Sequence, residues 1–313
     1  MDILALILLY GLWASIFPYN KLLLTISSPL FLTGTRMTIS GVLLLVYLFI
    51  WKRSSLLTHR KKIITISLLA IIGIYSTNVL EAWGLKYLPA SKTCFIYSLS
   101  PFFAAILSYI HGREKITLKK WLGLFIGFLG FLPVLLMQSK GENSYRECNL
   151  FGTAELSVIG AAFCSVYGWI LLQKIVKDGT ISPLLANGIS MLIGGILAII
   201  HSTLFDNWTP IPVTAGKIGT FLSGTFGVIV ISNIICYNLY GYMLRRFTTT
   251  FISFAGLLSP VFSSIISWFV LGESLNVILI ISTFVIASGL WMIYREELRL
   301  GYIVKKNSLI EKT

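Results

Sequence analysis

Long apolar stretches, separated by short polar links, run through almost the whole chain. A helix that crosses a membrane needs about 20 consecutive, mostly apolar residues. Because lipid offers the backbone no hydrogen-bond partner, each stretch of that length is predicted to be a helix. The predicted fold is therefore an all-α membrane protein with ten transmembrane helices. The ten predicted spans are 3–24, 29–51, 63–85, 89–110, 119–138, 151–173, 181–204, 218–242, 248–271 and 276–294.

The composition excludes an ordinary soluble protein. Only 12% of the residues are charged and 56% are hydrophobic, whereas a soluble domain carries about 25% charged residues. The net charge of +13 does not indicate nucleic-acid binding, because the basic residues form short clusters between the apolar stretches. Such clusters are typical topology signals. We therefore expect the lipid bilayer, and no nucleic acid, as a partner.

The positions of lysine and arginine predict the orientation. Of the 25 basic residues, 18 fall in the links and adjoining span ends on the side of the N-terminus or in the tail, and six fall in the links and span ends of the opposite side. The remaining one, Arg36, lies inside a span. Since cytoplasmic loops are enriched in Lys and Arg, both termini are predicted to be cytoplasmic. The start, Met1-Asp2-Ile3, lacks a positively charged region, so the first stretch is interpreted as a retained span.

The chain contains an internal repeat. The landmarks Ser100-Pro101, Glu114 and Gly130 recur 159 residues later. Their counterparts are Ser259-Pro260, Glu273 and Gly289. A second block, which starts at Ser28-Pro29-Leu30 and includes Gly34, Met37 and Gly41, recurs 154 residues later, from Ser182-Pro183-Leu184. The predicted domains are thus two five-helix repeats at 1–138 and 151–294, an extracytoplasmic linker at 139–150, and a basic cytoplasmic tail at 295–313.

Each repeat has five spans, an odd number, so the second copy enters the membrane from the opposite side. Two copies of one fold are then related by a pseudo-two-fold axis in the membrane plane. Such inverted repeats are a device of secondary transporters, whose substrate site lies near the repeat interface. The alternative is duplication for packing alone, as in some channels and membrane enzymes. The pattern favours transport.

The spacing of several motifs resembles a known family. The residues are Leu85-Lys86-Tyr87-Leu88-Pro89-Ala90-Ser91-Lys92, Ser100-Pro101, Gly112-Arg113-Glu114, Gly123 and Gly130. They resemble the EamA domain of the drug/metabolite transporter superfamily, and Arg36 matches the arginine usual in its second span. Two departures are Arg113, inserted where Gly-Glu is usual, and Ser282 in place of a glycine. The resemblance implies ten helices in a five-plus-five inverted repeat and alternating-access transport.

Within this family the chain is similar, in overall character and in its third span, to the S-adenosylmethionine/S-adenosylhomocysteine exchangers of obligate intracellular bacteria. This implies a small polar metabolite as substrate and a bacterial inner-membrane location. It also implies import of S-adenosylmethionine in exchange for S-adenosylhomocysteine. One alternative is a proton-driven exporter of amino acids or other metabolites. Another is a membrane-embedded enzyme or a non-transporting scaffold. A homodimer is one assembly that the sequence leaves open.

No enzymatic constellation is apparent in the sequence. The three histidines, His59, His111 and His201, are scattered and lack metal-site spacing. The chain has no phosphate-binding loop of the G-x-x-x-x-G-K-[ST] type, so ATP is not expected to drive it directly. We therefore expect a non-enzyme without metal or cofactor.

Ionisable residues inside a span are costly and mark functional candidates. Two of them, Arg36 and Glu81, are plainly internal to their predicted spans. Arg36 and Glu81 both lie within about 10 Å of the outer boundary, so they can meet at one depth. In the functional interpretation Glu81 binds a cationic group and Arg36 a carboxylate. In the structural alternative they form an ion pair that locks two helices. Asn78 lies one turn before Glu81 on the same face, and a helix–helix hydrogen bond is its structural alternative.

Aromatic residues beside these positions are further candidates. Trp13 and Trp83 flank the polar positions and can stack on a flat ring or face a cation. Tyr19, Tyr97 and Trp169 have the same capacity, with lipid packing or an interfacial belt as the alternative.

Other repeated or charged residues indicate architecture. Pro101 and Pro260 are predicted to lie within the fourth and ninth helices and to kink them. Glu114 and Glu273 are predicted to cap or anchor loops. Glu155 lies near a helix N-terminus, where the helix dipole favours a carboxylate.

Overall fold

The computed structural model describes residues 2–52, 60–88, 93, 96–112, 114–115, 117–139, 152–259, 262 and 277–302, and this part of the chain is predominantly helical. Two eight-residue stretches have π-helical geometry, here named the first π segment (Leu69–Ser76) and the second π segment (Ile229–Cys236). A short 3₁₀ turn covers Gly256–Leu258. The α-helices of the described residues are α1 Asp2–Leu24, α2 Pro29–Trp51, α3 Arg60–Leu68, α4 Thr77–Tyr87, α5 Ser100–Ile110, α6 Leu118–Ser139, α7 Thr153–Val176, α8 Pro183–Phe205, α9 Ile218–Val228, α10 Tyr237–Met243, α11 Thr249–Ala255 and α12 Val277–Arg299.

Within the described residues, six helical stretches are long and apolar enough to cross a membrane. They are Leu4–Leu24, Pro29–Trp51, Lys62–Tyr87, Thr153–Val176, Pro183–Phe205 and Ile218–Met243. These six match the first, second, third, sixth, seventh and eighth predicted spans. The predicted fifth and tenth spans coincide with helices of 22 and 23 residues, α6 and α12. The count of ten spans and the inverted repeat stay predictions.

The fourth predicted span is broken at its proline. A turn at 98–99 separates the helical residues 96–97 from α5, which has Pro101 in its first turn. The missing N–H of proline costs nothing at this position. The expected kink within one long helix is therefore corrected to a break followed by a new helix start. The 3₁₀ turn lies at the equivalent place in the second copy, while Pro260 lies outside the described residues.

The repeated Ser-Pro pairs at 28–29 and 182–183 begin α2 and α8. The hydroxyl of Ser28 accepts the N–H of Phe31 at 3.2 Å, and that of Ser182 accepts the N–H of Leu185 at 3.2 Å. In both helices the serine is the N-cap and the proline occupies the first turn. This part of the repeat is therefore a helix start signal.

The chain divides into two compact units. The first unit comprises Met1–Ala14, Ser98–Asn143 and Arg246–Thr313, and the second comprises Ser15–Tyr97 and Ser144–Arg245. Each unit draws segments from both halves of the sequence. The division by packing therefore differs from the predicted division by sequence repeat, which stays a prediction.

In the second unit, α2 and α8 pack closely through glycines. A Cβ added to Gly34 would lie 2.6 Å from the Ile199 side chain, and one on Gly41 would lie 2.5 Å from the Leu192 nitrogen. Gly195, the repeat equivalent of Gly41, packs in the same interface. Residue numbers rise along one helix as they fall along the other, so these repeat-equivalent helices are antiparallel. Small residues permit this backbone approach.

In the first unit, α6 and α12 pack in the same manner. A Cβ on Gly123 would lie 2.8 Å from the Ile293 side chain, and one on Gly130 would lie 2.8 Å from that of Val285. Gly289 faces the α6 backbone between these contacts. These glycines therefore permit the close approach of α6 and α12.

Candidate functional site

Several polar side chains of the second unit converge in an otherwise apolar interior. They come from α2, α4, the second π segment and α10, and we name them the polar crossing: Arg36, Asn78, Glu81, Asn233 and Tyr237. Asn78 and Asn233 are buried, Arg36 is 5% exposed, and Tyr237 is buried. A buried cation in apolar surroundings requires hydrogen-bond partners, and α4 and the second π segment provide them.

The guanidinium of Arg36 binds two asparagines from different elements. Its Nη2 donates to Asn78 Oδ1 at 2.6 Å, and its Nη1 donates to Asn233 Oδ1 at 3.4 Å. Arginine has five N–H donors, and these bonds use two of them within the described part of the chain. The remaining donors can bind the carboxylate of a ligand.

The second π segment holds α2 through Asn233. Its Nδ2 donates to the Arg36 carbonyl at 3.2 Å and to Ser40 Oγ at 2.9 Å. Ser40 Oγ in turn donates to the Arg36 carbonyl at 2.6 Å. These bonds fix the backbone that carries the arginine, so Arg36 is positioned at both its main chain and its side chain.

Asn78 connects the arginine to its own helix and to an aromatic side chain. Its Nδ2 donates to the Ile74 carbonyl at 2.8 Å and lies 3.3 Å from the Tyr237 hydroxyl. That carbonyl belongs to the first π segment. Such segments interrupt the regular α-helical hydrogen-bond pattern and are frequent at functional sites.

Glu81 is half-buried and follows Asn78 by three residues on α4. The hydroxyl of Tyr97 donates to its Oε2 at 2.7 Å. Among the residues that the structure describes, no direct ion pair joins Glu81 to Arg36, although the two charges act on each other electrostatically. Within the described part of the chain the direct ion pair, which was the structural alternative considered from the sequence, is therefore not formed. The hydrogen bond from Tyr97 uses one of the two carboxylate oxygens of Glu81.

A group of aromatic rings lies beside the polar crossing. Trp169 on α7 stacks on Tyr240, with ring centroids 4.0 Å apart and planes at 21°. It also lies 5.2 Å from the Tyr237 ring, centroid to centroid. Because the Tyr237 hydroxyl contacts Asn78, the aromatic group is continuous with the polar one.

The other predicted aromatic residues occupy different places. Trp83 is 38% exposed and packs against Tyr87 with ring centroids 5.0 Å apart, so it belongs to the exposed end of α4. Tyr19 is 57% exposed. Trp13 belongs to the first unit, where its ring lies 6.2 Å from that of Tyr10.

The predicted architectural carboxylates are at helix ends. Glu155 is buried in the first turn of α7, where its carboxylate faces Gly152, the N-cap. Glu114 is buried and receives a hydrogen bond from Lys120 Nζ at 2.8 Å; its role in loop anchoring stays a prediction. Glu273 lies outside the described residues.

Reasoning from the sequence missed Asn233 and Tyr237 as members of the site. Both are polar residues within a predicted span, which is itself a signal of interhelical hydrogen bonding. The signal is weak because several such residues occur, and the sequence does not show which of them faces Arg36. Within the described residues, no group of histidine, cysteine and carboxylate side chains could hold a metal ion.

Comparison with known proteins gives the site a context. Residues 1–136 and 152–295 match the model of the EamA-like transporter family. The S-adenosylmethionine/S-adenosylhomocysteine transporter of Chlamydia muridarum (strain MoPn / Nigg) is 40% identical over 294 residues, which cover 94% of this chain and 91% of that protein. The protein of the same name from Chlamydia trachomatis serovar L2 is also 40% identical, over 94% of this chain and 89% of its own length.

A more distant relative and a solved structure agree with this match. The uncharacterized transporter YyaM of Bacillus subtilis is 28% identical over 80% of this chain and 79% of its own length. A solved structure described as "Crystal structure of protein" superimposes with a TM-score of 0.72 at 15% identity. It covers 93% of this chain and 96% of that one. At this low sequence identity, the similarity to the solved structure concerns the fold alone.

Proposed function

Because the chain belongs to the EamA-like transporter family, we propose that it imports S-adenosylmethionine in exchange for S-adenosylhomocysteine by alternating access. The observation that carries this proposal is the 40% identity to two Chlamydia transporters named for these two substrates, over 94% of this chain. The match extends over nearly all of both relatives, so it concerns the whole transporter. The bacterial inner membrane, with both termini in the cytoplasm, is part of the same proposal.

The polar crossing supports this proposal through its charges. S-adenosylmethionine carries an amino-acid carboxylate, an ammonium and a sulfonium. Arg36 can bind the carboxylate with the guanidinium donors that Asn78 and Asn233 leave available. Glu81, half-buried and bonded through one oxygen to Tyr97, can bind a cationic group through the other.

The aromatic group supports recognition of the rest of the molecule. The adenine of both proposed substrates is flat and apolar on its faces. The rings of Trp169, Tyr237 and Tyr240 are packed on one another beside the polar crossing. Such aromatic surfaces bind flat rings by stacking and cations by cation–π attraction. Trp83 and Trp13 stay predicted substrate contacts.

Exchange is consistent with the charges of the two substrates. S-adenosylhomocysteine lacks the methyl group on sulfur, so its sulfur carries no positive charge. The amino-acid and adenosine groups are the same in both substrates. A site that binds these shared groups accepts either substrate. The predicted inverted repeat would supply equivalent outward-open and inward-open states.

Counterflow in proteoliposomes tests the proposal. Vesicles with the purified protein are loaded with unlabelled S-adenosylhomocysteine and given labelled S-adenosylmethionine outside. We expect label to accumulate above the level in protein-free vesicles and in proteoliposomes loaded with buffer alone.

The contrary outcome is equally specific. No accumulation by protein that is shown to be folded would remove the exchange proposal. Uptake or efflux of an amino acid that depends on a pH gradient would then favour the proton-driven exporter.

A further inference from the structure

A second group of charged side chains is buried in the first unit, at the end that is predicted to be cytoplasmic. Lys120 Nζ lies 2.8 Å from Glu114 Oε2 and 2.9 Å from Glu297 Oε1. The side chains of Glu114, Lys120 and Glu297 are 4%, 2% and 0% exposed. We name these three residues the buried triad. It lies outside the polar crossing, and the proposed transport function does not use it.

Four helix ends contribute to the surroundings of the triad. Glu114 follows α5, Lys120 is in the first turn of α6, Thr248 is the N-cap of α11, and Glu297 is near the end of α12. Thr248 Oγ1 lies 2.6 and 2.7 Å from the two oxygens of Glu297. The ring of Tyr302 lies 5.1 Å from Lys120 Nζ.

Other charged groups lie close but have their own partners. The Tyr302 hydroxyl accepts the backbone N–H of Lys115 at 2.8 Å. Glu296, adjacent to Glu297, forms an ion pair of 2.6 Å with Arg299, whose side chain is 61% exposed. Lys119 acts on Glu296 electrostatically. These contacts leave Lys120 as the cation that binds both buried carboxylates within the described residues.

The charge of the triad does not balance when every group is ionised. Two carboxylates and one ammonium carry a net charge of −1, which is costly in a buried site. In addition, Oε1 of Glu114 is buried and has no hydrogen-bond partner among the described residues. An unpartnered carboxylate oxygen in a site of excess negative charge is where a proton would bind.

A metal cation would balance the charge less well. The Lys120 ammonium already lies within hydrogen-bond distance of both carboxylates and would repel a second cation. A proton forms a covalent O–H bond on one carboxylate and neutralises it without another cation beside the lysine.

We propose that Glu114 and Glu297 are a proton-binding site that holds one proton between them, with Lys120 bonded to both. The proton neutralises one of the two carboxylates, and the charge of the other is balanced by Lys120, which lies within hydrogen-bond distance of both. With the proton bound the triad is neutral and joins the four helix ends. Loss of the proton leaves an uncompensated buried charge and weakens their association.

The electrostatics of Glu297 agree with this geometry. Glu297 lies beyond the predicted tenth span, which ends at residue 294. Burial and the neighbouring Glu114 charge raise its pKa from 4.5 to about 7, against the opposing effect of Lys120. Since the pKa is higher in the folded state, the stabilisation is complete below pH 4.5 and is lost as the pH rises through about 7.

Thermal unfolding in detergent between pH 5 and 8 is the primary test, combined with potentiometric titration over the same range. We expect the wild-type midpoint to fall as the pH rises. In Glu297→Gln and in Glu114→Gln, which imitate a protonated carboxyl, this fall should be strongly reduced, and each variant should release about one proton fewer per chain. Glu296→Gln is the matched control, because its carboxylate is paired with Arg299, and it should keep the wild-type pH dependence.

Infrared spectroscopy of the wild type provides a second measurement if either variant fails to fold. A protonated carboxyl band that is present at pH 6 and lost by pH 8 is expected. The proposal is overturned if wild-type protein shows no such band, or if folded Glu297→Gln and Glu114→Gln retain both the full pH dependence and the full proton release. Since none of these measurements uses a transported solute, failure of the exchange proposal would leave this one intact.

Discussion

Two asparagines of the second unit occupy equivalent places in the two sequence repeats. Asn78 and Asn238 are 160 residues apart, and each follows an eight-residue π segment by two positions. Each donates through Nδ2 to the carbonyl four residues earlier, at 2.8 Å in both cases. The two asparagines differ in the donor that their Oδ1 atoms accept from. Asn78 Oδ1 accepts from the Arg36 guanidinium at 2.6 Å, whereas Asn238 Oδ1 accepts from the Asn187 amide at 3.0 Å.

The residue three positions after each asparagine also differs between the two repeats, and again only the first repeat has a charged group. Glu81 carries a half-buried carboxylate, and its equivalent is Gly241. A Cβ on Gly241 would lie only 2.8 Å from the Pro183 Cβ, so this position serves close packing. The comparison shows that the repeats share a backbone device, the π segment followed by asparagine. Only one copy adds charge to it, and that copy contains the residues proposed to bind the substrate.

The largest expected effect on stability comes from removing the cation of the first repeat, Arg36. Arg36→Gln should lower the free energy of unfolding by about 2–3 kcal/mol, because a hydrogen bond to a charged group contributes about 1.5–3 kcal/mol and Asn78 loses its cationic partner. Chemical unfolding in detergent measures this. The control is Ser190→Ala, the equivalent position in the second copy, with an expected cost below about 1 kcal/mol. Equal effects at the two positions would mean that the charge adds nothing to the crossing.

The second effect tests the packing role of the uncharged copy. Gly241→Ala should destabilise by about 2 kcal/mol, because a methyl group there overlaps Pro183 and overpacking costs about 1–3 kcal/mol. Gly227→Ala on α9 is the matched control, since a Cβ at Gly227 meets no atom within 4 Å. The control should be neutral or stabilising, because alanine favours a helix over glycine. A tolerated Gly241→Ala would remove the steric reason for the missing carboxylate.

The third effect concerns transport. Glu81→Gln should lower the counterflow rate about tenfold, the equivalent of about 1.4 kcal/mol of lost binding, while the Tyr97 hydroxyl can still donate to the amide oxygen. Stability should therefore change by less than about 1 kcal/mol. Tyr97→Phe keeps the carboxylate charge and should reduce counterflow less. Wild-type counterflow by folded Glu81→Gln would exclude this carboxylate from the site.

The smallest expected effect is the difference in stability cost between replacing Asn78 and replacing Asn238. Asn78→Ala should cost about 1 kcal/mol more than Asn238→Ala, because only Asn78 has a charged partner. A double-mutant cycle of Asn78→Ala with Arg36→Gln should show coupling of similar size, measured by chemical unfolding. Additive effects would indicate that the short contact between Arg36 and Asn78 contributes no coupling.

Several features were predictable because they depend on local physics. The starts of α2 and α8 follow from Ser28-Pro29 and Ser182-Pro183, since an N-cap serine and a first-turn proline act within one turn. The six long apolar helices follow from length and hydropathy.

Other features could not be predicted because they depend on how distant segments meet. A local pattern does not distinguish a proline within a helix from one that begins a new helix, and for Pro101 the structure shows the latter. Nor does it show that Arg36 binds Asn233, which is 197 residues away, or that Glu81 bonds to Tyr97. These partners depend on which faces of packed helices oppose each other.

The sequence by itself determined the family, the membrane-embedded helical character and the candidate charges Arg36 and Glu81, because hydropathy, motif spacing and the rarity of charge in apolar stretches are properties of the chain alone. The tertiary structure decided how those charges are held. It placed Arg36 between two asparagines, left Glu81 with a tyrosine, and joined Glu114 to Glu297 through one lysine. Hydrogen bonds and desolvation act over a few ångströms in space, and only the packed helices bring residues so distant in the chain that close together.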